Sequence, residues 1–273
     1  MDVTHHRPAL DAGFARRLLH WSSRVFFLTV LAGQLAFVAF ILGFFVRHIL
    51  AGNIAGWSEK RLITGYVAGD DTGNTMFAIH VCGAALLTLS GLIQLIPAIR
   101  QRAPRLHRWN GRAFIAMAIL MSLGGLWLTW VRGSYLSLVA GFAVSLNGIL
   151  ILVFAILALV YALKRDFVAH SRWAMRTFIV VSGVWFLRLS LMAWLIINGG
   201  PVGMNGKMSG PADIFLDYGS YLIPLAILEV YFLAKRSNLP WVKAGTAMLV
   251  LVGSLLMAVG VFGAMSILWL PHM

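Results

Sequence analysis

Acidic residues are scarce in this chain. Nine aspartates and glutamates stand against 22 lysines and arginines in 273 residues, and charged residues together make up only 11%. A soluble domain carries about 25% charged residues. With 60% hydrophobic residues, this chain could not cover itself with polar surface in water. Cysteine is nearly absent. Cys82 stands alone inside an apolar stretch, which excludes an internal disulfide framework and a cysteine metal cluster. There is no Walker loop, no G-x-S-x-G and no H-E-x-x-H, so P-loop, nucleophile-elbow and zincin chemistry have no sequence support. No long polar segment occurs either, which argues against a soluble appendage.

What is present is a series of apolar runs between clusters of charge. They cover roughly residues 25–46, 76–97, 112–131, 138–163, 174–197, 216–234 and 243–269. Most reach the ~20 residues that cross a ~30 Å hydrocarbon core. The expected fold is all-α: a polytopic bundle of about seven transmembrane helices, with residues 1–24 as an N-terminal segment and 25–270 as one membrane domain. The N-terminus has charges scattered as far as Arg24 and no small-residue cleavage site before a full-length span, so it does not read as a cleavable signal peptide. The sixth run contains Pro224, which a membrane helix tolerates where neighbours satisfy the freed carbonyl.

The basic residues give an orientation. With the N-terminus inside, sixteen lysines and arginines fall in inner segments and five in outer ones, with Arg188 within a span. This positive-inside bias predicts a cytoplasmic N-terminus and a C-terminus outside. The net charge of +13 then faces anionic lipid rather than nucleic acid. Two outer loops are long, at about 47–75 and 198–215. Each could cap a cavity or serve as a solvated connector. The second, rich in Gly, Pro, Met and Asn, could also dock a partner subunit.

Residues 108–115 (Arg-Trp-Asn-Gly-Arg-Ala-Phe-Ile) echo residues 172–179 (Arg-Trp-Ala-Met-Arg-Thr-Phe-Ile), each with a histidine just upstream, His107 and His170. On a helix, Arg108 and Arg112 share a face, as do Arg172 and Arg176. At headgroup depth these arginines and their tryptophans either anchor helices on lipid phosphates or converge on an anionic group. The runs begin at 112 and 174, so both histidines are expected to precede their helices.

Polar residues also fall inside the runs. His80 should lie about 6 Å into the second span and Arg188 about 20 Å into the fifth, both in the outer half. Gln94 and Glu229 fall in the inner half; Gln34 and Asn147 are near mid-span, where interhelical hydrogen bonds are expected. An arginine this deep must face a partner or a cavity. Asp217 is the one carboxylate near its depth, and an Arg188–Asp217 ion pair is the structural alternative to a functional site. His48 and His80 toward the outer face, and His107 and His170 toward the inner, offer one candidate imidazole pair per leaflet for b-haem.

The line His80, Gly91-Leu92-Ile93-Gln94, Arg100, His107-Arg108-Trp109-Asn110-Gly111-Arg112, His170, Arg172-Trp173-Ala174-Met175-Arg176, Arg188 and Glu229 resembles DUF2306, a bacterial family of predicted integral membrane proteins. The likeness runs over about residues 76–235. It implies a multi-pass protein of the bacterial inner membrane. The layout is distantly similar to cytochrome b561-like domains, whose histidine pairs lie within the spans.

Three functions remain open, the first of them the leading expectation and the other two its alternatives. The first is electron transfer with b-haem or a quinone, using His48, His80, His107 and His170. The second is a carrier or receptor for a small anionic or lipid molecule, using Arg188, Glu229, Gln94 and the Arg-Trp clusters. The third is a non-catalytic subunit of a membrane complex.

Overall fold

A computed structural model describes residues 11–59 and 65–273; Arg7, Lys60 and Arg61, counted in the charge bias, lie outside them. The described chain is a bundle of nine α-helices. They are α1 (Ala12–Leu50, with a π-helical segment at Ile41–Val46), α2 (Asp71–Leu95), α3 (Pro97–Arg102), α4 (Pro104–Trp130), α5 (Leu138–Leu163), α6 (Phe167–Val181), α7 (Gly183–Asn198), α8 (Pro211–Arg236) and α9 (Pro240–His272, ending in π and 3₁₀ turns). No strand occurs among the described residues. Six helices are long and apolar enough to span a membrane, and the bent pair α6–α7 makes a seventh. The all-α multi-span fold is the one expected.

Local chemistry sets the helix starts. Asp11 accepts from the amides of Gly13 and Phe14, Ser137 from Ala140 and Asp166 from Ala169, satisfying donors that the first helical turn leaves free. Helices α3, α4, α8 and α9 each begin on a proline, where its missing N–H costs nothing. Because Pro104 and Asp166 start α4 and α6 ahead of the apolar runs, His107 and His170 sit within helices, not before them as expected. Pro224 lies inside α8 without ending it.

The expected fifth span is the main correction. It is two helices meeting at Ser182 with a 51° bend. A Ser-Gly pair is a recognised cause of such a kink. Gly183 brings the backbone close to α5: a Cβ there would meet the Asn147 side chain at 2.8–3.1 Å. Interrupted backbone at membrane depth is tolerated where it is buried or lines a cavity.

Both long loops are anchored. Trp57, in the 3₁₀ turn Ile54–Glu59, is almost fully buried against Phe45 and Phe77. Arg132, at the end of α4, bonds Asp70 Oδ2 (2.9 Å), Asn74 Oδ1 (2.7 Å) and the Gly65 carbonyl (3.2 Å). In the second loop, Asp213 accepts from the amides of Asn205 and Gly210, and Ser137 donates to the Met208 carbonyl.

Candidate functional site

The break between α6 and α7 faces a cavity of about 150 Å³ closed by α1, α2 and α4. Two backbone irregularities meet on it. Ser182 marks the kink, and Ile41 and Phe45 project from the π-helical segment of α1. Such π segments often occur at functional sites.

Gln34 of α1 donates through Nε2 to Ser182 Oγ (2.9 Å), and Ser182 donates on to the Phe178 carbonyl (2.9 Å). This confirms the interhelical bond expected of Gln34, but it uses only half of the amide: Gln34 Oε1 is buried with no partner among the described residues. The same is true of His80 Nδ1 and Trp185 Nε1, and all three residues line the cavity. Gly33 has no side chain to obstruct the Trp185 ring, which a Cβ there would meet at 2.7 Å. Gly125 of α4 leaves room for His80, whose imidazole would lie 3.3 Å from a Cβ there, while a Cβ on Gly124 would make ordinary contact at 3.8 Å.

Arg188 completes the cluster. Its guanidinium sits over the Phe37 ring at 5.4 Å and donates to the Val184 carbonyl at 3.1 Å. Among the described residues it has no carboxylate partner, and the Arg188–Asp217 pair is not formed. The rest of the wall is largely aromatic, including Phe77, Phe114 and Phe178. The cavity is therefore mainly apolar, with Gln34, His80, Thr88, Ser182, Trp185 and the cation Arg188 as its polar lining, at a broken span. Broken membrane helices commonly frame ligand sites in this way.

Residues 77–208 match the family model of DUF2306, described as a predicted membrane protein. Over that stretch, a little under half of the chain, it is similar to DUF2306. No curated protein and no solved structure matches it. The match ends short of the expected residue 235, so Glu229 lies beyond it, as does Gln34 on the other side. His80 and Arg188, which the sequence placed in one half of the membrane, are brought to one cavity within the DUF2306 stretch.

The other candidates are dispersed. His48 is not a wall of the cavity; its Nδ1 donates to the Phe44 carbonyl (2.7 Å) and its ring lies against Gly56. His107 Nδ1 is buried with no partner among the described residues, and His170 Nδ1 is tied to the Ala158 carbonyl (2.8 Å). Glu229 forms a two-pronged pair with Arg176 (2.6 and 2.8 Å), and that guanidinium lies 4.4 Å from the Trp173 ring. Arg112 stacks over Trp109 at 4.9 Å, with Arg108, Trp109 and Arg112 all exposed, while Arg172 is half-buried. The two echo segments thus have different surroundings.

Much of the DUF2306 motif line fastens α2 to α4. Gln94 donates to the His107 carbonyl (3.0 Å) and Asn110 exchanges bonds with Ser90 (2.9 and 3.0 Å). A Cβ on Gly111 would lie 3.5 Å from Gln94, and one on Gly91 3.0 Å from Phe114. No group of three or more metal-ligating residues forms among the described residues.

Sequence reasoning missed Ser182, Trp185 and Phe37. The signal that could have found them is Ser182-Gly183 inside an apolar run, where small residues weaken the helix next to Arg188.

Proposed function

We propose that this protein is a membrane-embedded carrier or receptor for a small organic anion, bound at mid-membrane depth. The observation that supports the reading is Arg188: a cation inside a span, facing a cavity, with no protein counter-charge among the described residues. An uncompensated ion costs several kcal/mol to hold away from water, and an anionic ligand offsets that cost. A cavity of about 150 Å³ suits a benzene-sized body. The aromatic wall takes the apolar part, Arg188 and Trp185 Nε1 donate to a carboxylate, and Gln34 Oε1 is left for a ligand hydroxyl or amine. The best-fitting class is a monocarboxylate with a single ring or short chain. The charge bias supports a cytoplasmic arginine-rich face, in a bacterial inner membrane.

Benzoate provides the test. In nanodiscs it should alter the Trp185 emission saturably, with the response lost in Arg188→Met and in Trp185→Phe. A response unaffected by Arg188→Met would overturn the reading.

Electron transfer is the second reading. The side chains of His80 and Trp185 could hydrogen-bond quinone carbonyls, and the buried, unpartnered Nδ1 of His107 among the described residues supports haem ligation at that histidine. A Soret band from haem-replete cells, lost in His107→Ala, would put this reading first.

A further inference from the structure

A second, larger cavity lies on the other side of the broken span. It is a slot of about 940 Å³ between α1, α6–α7, α8 and α9. Its wall is overwhelmingly apolar along its length but polar at its ends. His20, Ser23 and Arg24 of α1 lie at one end with Tyr231 of α8, and Trp194 and Asn198 of α7 at the other. On α8 the slot runs from Phe215 to Tyr231, about 24 Å at the helical rise. That is most of a ~30 Å hydrocarbon core and more than one leaflet's share.

We propose that the slot is a resident site for one anionic phospholipid. Its phosphate is held at the Arg24–His20 end and an acyl chain lies extended along α8. Three observations carry this. The end by α1 holds a cation, Arg24, stacked at 5.0 Å on Trp21; phosphate is the anion a bilayer supplies at that level. The cluster continues on α8, where Lys235 lies 5.9 Å from the Tyr231 ring. The floor is kept open by Gly253, where a Cβ would approach nothing nearer than Ile227 Cδ1 at 4.0 Å. Packing alone would favour filling such a space, since unfilled volume forfeits dispersion contacts. The site is independent of the Arg188 cavity, although Phe178 lines both.

The full chain, purified in mild detergent and stripped of lipid, is offered phosphatidylglycerol or phosphatidylcholine and read by native mass spectrometry. The wild type should hold one phosphatidylglycerol at least tenfold more tightly than phosphatidylcholine. Arg24→Gln should lose that preference while still taking up lipid. Gly253→Leu, whose side chain enters open space and spares the fold, should lose both lipids, with an unchanged melting temperature showing that the protein is intact. Equal affinity for the two lipids in the wild type would overturn the proposal. So would full phosphatidylglycerol binding by both variants.

Discussion

Two arginines on one broken span should respond in opposite directions to the same change. In Arg188→Met the stem is kept and the charge removed. The structure gives up one hydrogen bond to Val184 and one stacking contact with Phe37. These are worth about 1.5–3 kcal/mol for a charged hydrogen bond and about 1 kcal/mol for the cation–π contact. Against this, the substitution removes the several kcal/mol needed to keep an unpaired ion out of water. The balance is a stabilisation of about 1–2 kcal/mol. In Arg176→Met the two-pronged bond to Glu229 is lost, along with contact with Trp173 and Phe232. The Glu229 side chain is 44% exposed, which limits the loss to about 1–2 kcal/mol of destabilisation. Thermal unfolding in nanodiscs without ligand should therefore show Arg188→Met melting higher than wild type and Arg176→Met lower, by a few degrees each at about 2–4 °C per kcal/mol. With benzoate present Arg188→Met should gain nothing, since losing the charged partner costs about 2–5 kcal/mol of binding. If Arg188→Met destabilises the empty protein as much as Arg176→Met does, Arg188 is a structural residue and awaits no ligand.

Ser182→Ala removes both the acceptor for Gln34 Nε2 and a donor to Phe178, and should destabilise by about 1–3 kcal/mol; a melting temperature equal to wild type would show that the bond is not maintained. Gly125→Val drives a side chain into the space beside His80, displacing the imidazole into the cavity, so benzoate binding should weaken while melting changes little; unchanged affinity would count against His80 as a wall. The Asp70 carboxyl is held below the usual carboxylate range by the Gly73 amide first and then by Arg132. Its contribution is therefore complete above the ordinary carboxylate pKa and is lost as pH falls through the lowered one. Wild type and Asp70→Asn should differ in melting temperature at neutral pH and converge in acid, and a gap independent of pH would refute the assignment.

The spans are legible in the sequence because hydropathy reports burial in lipid directly. The kink is not, because a bend inside an uninterrupted apolar run leaves mean hydropathy unchanged. Ser182-Gly183 carries it instead, through weak helix propensity and the close approach of Asn147. Arg188 stands out by its rarity at that depth, but whether Asp217 reaches it depends on helix rotation, which one sequence does not encode. The echoed Arg-Trp segments show the same limit. Near-identical residues face outward on α4, while on α6 the second arginine meets Glu229, 53 positions along the chain. Helix starts escape a hydropathy reading because polar first turns opened by Pro104 and Asp166 belong to the helix but not to the apolar run.

The angle at Ser182 sets how far apart the walls stand. Arg188 is about six residues past the joint, a lever of roughly 9 Å, and Asn198 about sixteen, roughly 24 Å. A 10° flexing there, on the order of one-sixth of a radian, would carry the Arg188 backbone by about 1.6 Å and the far end of α7 by about 4 Å. Room for a guest is thus governed by a single pivot, and the neighbouring helices can stay in register while it turns.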